Sequence, residues 1–106
     1  MDIGNLNNYS YIHMIDGKYY DIFLSNTKRY RVFKEEVDDR ELMWHQDEWD
    51  RKILVLGGKG WKIQFDDELP LELKEGNEIQ IENHKFHRVI KGNGNLIIRI
   101  IEINKN

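Results

Sequence analysis

Two histidines and one aspartate in this 106-residue chain could together hold a metal ion. His45 and Asp47 are separated by one residue, and His87 follows much later. Two imidazoles and one carboxylate form a recognised ligand set for a divalent transition metal. The chain contains no cysteine, so a disulfide, a thiolate nucleophile and a cysteine-bound zinc site are excluded. Any bound metal must therefore be held by histidine and carboxylate side chains.

A strand through the first pair would place His45 and Asp47 on one face, because residues two apart in a strand point to the same side of the sheet. We predict such a strand at 42–47, and a second at 86–90 that has His87 near its start. The three side chains meet if these strands are neighbours or face each other across a barrel. The sequence leaves that condition open.

The rest of the pattern predicts an all-β chain with little or no helix. Short apolar and aromatic runs alternate with turn signals such as Asp16-Gly17, which predicts a hairpin near the N-terminus. No stretch of about twelve residues combines a helical period with caps. About ten short strands at this spacing predict a sandwich or barrel. The strands are expected at 9–14, 18–25, 29–35, 42–47, 52–56, 61–65, 71–74, 78–81, 86–90 and 96–103.

Length and composition narrow the function classes. We expect a flexible terminus at 1–8 and one domain at 9–106, so any site lies within the fold that provides the stability. The net charge of −3 gives no general attraction to nucleic acid or an anionic membrane. No apolar run approaches the roughly 20 residues of a membrane span, and we expect a cytoplasmic protein. The absence of alanine and the many Asn, Lys and Ile residues suggest AT-rich coding, as in a phage or bacterium.

Two strands have unusual face patterns. Basic and apolar residues alternate from Arg29 to Phe33, which predicts a strand with one face in water. The strand at 96–103 is apolar on both faces, so we expect the barrel core to cover one face and a second subunit the other. A homodimer is the assembly that this pattern favours.

From about residue 42 to 101, the sequence resembles the cupin superfamily of small β-barrels or jelly rolls. The first cupin motif, a His-x-His pair followed by Glu, an apolar strand and Gly, is similar to residues 44–58, with His45-Gln46-Asp47 as the pair. The second motif, Gly, an alternating strand, a short loop and His, is similar to 76–93, with Gly76 and His87 at its ends. The resemblance implies a double-stranded β-helix in a single-domain cupin.

The first motif is degenerate in two positions. Asp47 replaces the second histidine of the pair, and Arg51 stands where the family has a liganding glutamate. A site of three histidines and one glutamate is therefore excluded. The resemblance implies a three-ligand site of His45, Asp47 and His87, which leaves open positions on Fe, Mn, Ni or Zn. Similar triads occur in iron and 2-oxoglutarate dependent oxygenases, so 2-oxoglutarate is a conceivable cosubstrate.

Two arginines could bind an anionic substrate group. Arg51 either turns outward to pair with Asp50 or Glu48, the outcome that we favour, or reaches the cleft and binds such a group bidentately. Arg99, inside an apolar strand, is either paired, exposed at an edge or a carboxylate-binding group, and it is the candidate partner for 2-oxoglutarate.

The tryptophans and two polar residues complete the candidate site. Trp49 is expected to border the cleft, whereas Trp44 alternates with the first ligand and should face away from it. Gln64 is expected to enter the barrel mouth. His84 could be a further ligand, but it occupies a loop position where the cupin motif has Gly, and Glu82 stands where the motif has Pro.

Three functions are compatible with these residues. The first is a metal-dependent cupin enzyme, an oxygenase or isomerase, that acts on a small polar molecule. The second is a non-catalytic degenerate cupin that binds or sequesters a small ligand, or serves assembly. The third is metal-free sugar isomerisation or epimerisation by a His and Asp acid/base pair. The sequence does not identify catalytic residues, the reaction or the substrate.

Overall fold

The computed structural model describes residues 12–15, for which only the backbone is considered, and residues 18–103. Within these ranges the chain forms nine strands, one 3₁₀ turn at Asp39–Glu41 and no α-helix. The strands are β1 Ile12–Ile15, β2 Tyr19–Phe23, β3 Lys28–Phe33, β4 Asp50–Lys59, β5 Lys62–Phe65, β6 Leu71–Glu72, β7 Glu78–Ile81, β8 His87–Ile90 and β9 Asn93–Ile103.

The strands form two antiparallel sheets that enclose the core. The larger sheet has the order β1-β2-β3-β9-β4-β7, and the smaller has the order β6-β5-β8. The all-β prediction is confirmed. The predicted N-terminal hairpin is present as the pairing of β1 with β2, although its Asp16-Gly17 turn, like the terminus at 1–8, lies outside the described residues.

The core fills one part of the space between the sheets. Its most deeply buried side chains are Trp61, Leu96, Ile100 and Val55. The indole Nε1 of Trp61 donates to the carbonyl of Gly94 over 3.2 Å, so its polar group is satisfied inside the core. Cross-strand packing of these large side chains is the main source of stability in such a barrel.

The last strand alternates as its sequence indicates. Leu96, Ile98 and Ile100 point into the core, whereas Ile97 is exposed on the outer face. The predicted second subunit over this outer face stays a prediction. No helix in the described part of the chain is long and apolar enough to cross a membrane.

The third strand differs from its prediction. Arg29 and Arg31, the basic side of the strand, are buried between the sheets together with Phe33. The basic face is therefore the inner face and not the one in water. Such burial is tolerated because both guanidinium groups contact carboxylates there.

Candidate metal centre

His45 and His87 are held side by side by a pair of backbone hydrogen bonds. The amide of each donates to the carbonyl of the other over 2.9 Å. The two imidazole rings meet edge to face with their centroids 4.2 Å apart. The predicted strand at 42–47 is wrong, because His45 makes one isolated bridge and its neighbours lie outside any strand. The condition that the sequence left open is nevertheless met, since the two histidines are direct antiparallel neighbours.

Backbone carbonyls orient both imidazole rings. Nδ1 of His87 lies 2.8 Å from the carbonyl oxygen of Lys85, and Nδ1 of His45 lies 3.3 Å from that of Met43. A carbonyl only accepts hydrogen bonds, so each Nδ1 carries a proton; Nε2 can then bind a metal when the ring is neutral, and in His87 it faces Asp47 as an ion-pair partner when the ring is protonated. This is the usual outer support of a metal-binding histidine.

Asp47 completes the group. One of its carboxylate oxygens, Oδ2, lies 3.4 Å from Nε2 of His87, and the ligand atoms of the three residues all lie within 4.8 Å of one another. Oδ2 is buried and has no hydrogen-bond partner among the described residues. A buried carboxylate oxygen without a partner is energetically unfavourable, and a metal ion would satisfy it. The donor set and this unsatisfied atom therefore fit a divalent metal.

The surroundings lower the pKa of both His45 and Asp47. For His45 the main cause is partial burial of its ring, and the nearby charge of His87 adds to the effect. Burial alone would raise the pKa of Asp47, but the contact with His87 and the charge of Arg51 together outweigh it. Metal binding requires a neutral imidazole and an ionised carboxylate, which are the states that these shifts favour.

Arg51 points into the barrel and not outward. Its Nη1 lies 3.3 Å from Oδ1 of Asp47, and its Nη2 lies 3.5 Å from Oε2 of Glu102. The prediction that Arg51 turns outward and pairs with Asp50 or Glu48 is wrong, because its partners are Asp47 and Glu102. The reason is strand alternation, because Arg51 has the same parity as the buried Ile53. Its contact with Oδ1 leaves Oδ2 as the available oxygen of Asp47.

The contact of Arg51 with Glu102 begins a buried row of alternating charges, which we call the charged row. Glu102 accepts a 2.6 Å hydrogen bond from Nη1 of Arg29, and Nε of Arg29 lies 3.5 Å from Oδ2 of Asp21. Asp21 also binds Arg31 through two hydrogen bonds, of 2.7 and 2.9 Å. With Asp47, the charged row contains three carboxylates and three guanidinium groups.

An open cavity of about 370 Å³ lies beside His45. Its apolar wall includes Tyr19, Met43 and Trp44, and its polar lining includes Lys18, Arg31 and Glu41. The guanidinium of Arg31 lies 3.8 Å from the centroid of the Tyr19 ring, so the charged row ends at this cavity. Trp44, expected to face away, is a wall residue because the segment before β4 is not a strand.

Three other sequence candidates lie apart from the His-Asp-His group. Gln64 alternates with buried Ile63 on β5, so it points to the outer face, where its Oε1 accepts hydrogen bonds from Arg88. Arg99 is likewise on the outer face of β9, between buried residues, which removes the named partner for 2-oxoglutarate. Trp49 borders a separate surface pocket with Glu102.

His84 is exposed and lies outside the group, but its backbone supports the site. It has a φ of 65°, a conformation that glycine adopts most readily, which explains the Gly usual at this position. Its amide donates to the carbonyl of Asp47 over 2.7 Å. The loop before β8 thereby fixes the backbone of one candidate ligand without contributing an imidazole.

Sequence reasoning did not find four of the cavity residues: Lys18, Tyr19, Arg31 and Glu41. For Arg31 a signal existed, since Arg29, Arg31 and Phe33 share one strand face and Phe33 is a typical core residue. The others lie at loop or turn positions or on an aromatic strand, where local pattern does not reveal which side faces a cavity.

No protein-family model matches the sequence, and no curated protein matches it significantly. Solved structures do match over most of the chain. HppE in its Fe(II) form with the alternative substrate (S)-1-HPP has a TM-score of 0.68 at 18% identity, over 89% of this chain. The match spans only 56% of the HppE chain, little more than half its length.

Two further structures match to a similar extent. The CENP-C cupin domain of Drosophila melanogaster has a TM-score of 0.68 at 16% identity, over 89% of this chain and 75% of its own. KdgF from Halomonas sp. has a TM-score of 0.65 at 14% identity, over 90% of this chain and 89% of its own. The two packed antiparallel sheets thus have the cupin fold of these structures, and the resemblance noted in the sequence is confirmed at the level of the fold.

Proposed function

We propose that this protein binds one divalent metal ion through His45, Asp47 and His87 and acts as a metal-dependent cupin on a small polar molecule. The observation that supports this most is the convergence of the three residues, whose ligand atoms all lie within 4.8 Å of one another. The buried Oδ2 of Asp47, which makes no hydrogen bond in the described part of the chain, adds to this support, because an ion or water usually completes such an atom. A bound metal would supply a Lewis acid or a redox centre next to the cavity.

The three ligands would leave open coordination positions. Two histidines and one carboxylate are the ligand set of many non-haem iron sites, and manganese, nickel and zinc accept the same donors. HppE, which has a similar fold, is a structure in its Fe(II) form, and this makes iron the first metal to test. We therefore propose iron first among these four metals.

The surrounding residues would hold the ligands in place. Lys85 and Met43 fix the ring orientations through their carbonyls, and Arg51 binds the second oxygen of Asp47. These contacts hold both rings and the carboxylate, whose ligand atoms lie within 4.8 Å of one another, so little ordering is required on binding.

Metal analysis of protein purified without a His-tag tests this proposal. After reconstitution with ferrous, manganous, nickel or zinc ions and removal of excess metal, we expect about one ion per chain for at least one of the four. His45→Ala and His87→Ala each remove one of three ligands, so bound metal should fall at least tenfold. Circular dichroism would verify that each variant is folded.

His84→Gly is the matched control, because it removes an exposed imidazole outside the group and suits the positive φ at that position. Its metal content should equal that of the wild type. Less than a tenth of an ion per wild-type chain for all four metals would contradict the proposal. Equal losses in all three variants would point to non-specific histidine binding.

A second candidate function, a non-catalytic cupin that binds a small ligand or serves assembly, is favoured by Arg51. Its positive charge lies 3.3 Å from Asp47 and repels a cation that approaches the same carboxylate. In this case the His-Asp pair would be a structural contact, and the metal analysis would give empty protein. Sugar isomerisation by the same pair stays a prediction.

A further inference from the structure

The charged row is electrically balanced before a metal binds. Its three carboxylates are Asp21, Asp47 and Glu102, and each lies within an ion-pair distance of at least one of three arginines, two of them buried and one partly buried. A divalent ion at Asp47 would add two positive charges that these six residues do not compensate. Uncompensated charge in a partly buried site is unfavourable, so an additional anion would bind there favourably.

The available space determines where this anion can lie. The interior space lined by His45, Arg51 and His87 measures about 40 Å³, which suffices for about one water molecule. The 370 Å³ cavity shares four lining residues with it, among them His45 and Arg31. A ligand larger than water that approaches the metal from this side extends into the cavity, which has the size of a small-molecule site.

The walls of the cavity indicate the character of the rest of the ligand. Met43 is 64% exposed and Trp44 is 40% exposed, and both line the cavity with Tyr19. Large apolar side chains grouped around an open cavity are typical of a binding surface. Lys18 adds a positive charge to the wall, and it forms no ion pair with any residue in the described part of the chain.

We propose that the cavity binds a small organic anion, whose charged group coordinates the metal beside His45 and whose apolar body packs against Tyr19, Met43 and Trp44. This inference rests on the proposed metal site and names the substrate class of that site. Lys18 attracts the anion, whereas Glu41, the acidic residue on the same wall, opposes it.

The test uses protein loaded with cobalt(II), whose visible absorption responds to a change of ligand. Cobalt content is measured first, and the loaded protein is then titrated with benzoate, acetate and benzamide. Benzoate has both a charge and an apolar body, acetate has only the charge, and benzamide only the body. We expect benzoate to change the cobalt spectrum and to bind at least about tenfold more tightly than either of the others.

Two variants that remove opposite charges from the cavity wall test the electrostatic contribution to anion binding. Lys18→Met should weaken benzoate binding about threefold, and Glu41→Gln should strengthen it about threefold, since each charge acts across a partly hydrated cavity. Lys62→Met and Glu72→Gln are matched controls on the exposed β5–β6 pair and should have no effect. Affinities are compared for each variant at full cobalt loading.

The outcomes separate the two proposals. Protein that takes up neither cobalt nor the four reconstituted metals would overturn the metal site and, with it, the anion site. Protein that is fully loaded but whose spectrum is unchanged by benzoate would overturn the anion site alone. Equal binding of benzoate and benzamide, or shifts of the same sign in Lys18→Met and Glu41→Gln, would also overturn it.

Discussion

The two ends of the space between the sheets are built from the same strands but have opposite chemistry. Strands β4 and β9 each pass from a charged end to an apolar end, from Arg51 to Val55 and from Glu102 to Leu96, whereas on β3 the charge extends further, to Arg31 opposite Ile98, before it gives way to Phe33. The His-Asp-His group lies at the charged end. The large buried side chains fill the apolar end.

This difference shows which residues serve stability and which serve a site. Burial of apolar surface stabilises the fold directly, whereas a buried ion pair is often no better than a pair of apolar residues of the same size. A barrel that needed only stability could have apolar residues at both ends. The charged row is therefore best explained by the group that it joins at Asp47.

Leu96→Ala would disrupt the packing of the apolar end, and we expect it to cause the largest loss of stability. Leu96 is fully buried, with 0% of its surface exposed. Its truncation removes buried methyl groups and leaves a cavity, so the free energy of unfolding should fall by about 2–5 kcal/mol. Urea denaturation followed by tryptophan fluorescence measures this loss. Metal content per folded chain should be unchanged, and a loss of metal in folded protein would contradict the separation of the two ends.

Arg51→Met would break the charged end. It leaves the carboxylates of Asp47 and Glu102 short of one cation, so the free energy of unfolding of metal-free protein should fall by about 3 kcal/mol. A bound metal supplies the missing positive charge, so most of this loss should disappear in metal-loaded protein. Urea denaturation with a chelator and with excess metal measures both values.

Arg40→Met is the matched control for Arg51→Met. Arg40 pairs with Asp38 at 2.7 Å, but its side chain is 88% exposed. Exposed pairs contribute little to stability, and the denaturation midpoint should equal that of the wild type. If Arg51→Met lost the same stability with metal as without it, Arg51 would have a structural role unrelated to the metal site.

A smaller effect is expected from acid pH, which should lower the free energy of unfolding through the charged end and not through the apolar end. In the folded, metal-free protein the pKa of His45 is lowered from 6.5, mainly because its ring is partly desolvated, although the residue keeps an exposed side. Below pH 6.5 the unfolded chain therefore binds a proton that the folded chain does not, and the free energy of unfolding should fall until the folded pKa is reached. Urea denaturation from pH 7.5 to 5 with a chelator measures this slope.

His45→Gln removes this titration and should reduce the slope, while keeping a polar side chain of similar size. Leu96→Ala should keep the wild-type slope at lower overall stability, because the apolar end has no titrating group. A slope that is unchanged in His45→Gln would assign the pH dependence to another histidine.

The fold was largely predictable because its signals are local. Alternation and turn residues indicate strands, and all but one of the ten predicted strands correspond to a strand in the structure. The exception, 42–47, has the alternation of a strand but lacks a neighbour along its length, because only His45 meets β8. Local pattern indicates a capacity for pairing, and pairing itself depends on distant residues.

The site was predictable in its ligand residues and less so in their surroundings. His45, Asp47 and His87 could be named from residue type and spacing, and the structure brings them together. The inward position of Arg51 follows from its parity with Ile53, but the choice of Glu102 as partner depends on the register of β4 against β9. The register between two strands so far apart along the chain cannot be predicted from the sequence of either strand alone.

The reciprocal backbone pair of His45 and His87 has a consequence for unfolding kinetics. A metal held by both side chains would close a loop of about forty residues, much as a covalent cross-link does. Strands β4 to β7 lie within that loop, between the two histidines. The ion would thus keep His45 and His87 together, and the segment between them could unfold only as a closed loop until the metal had left.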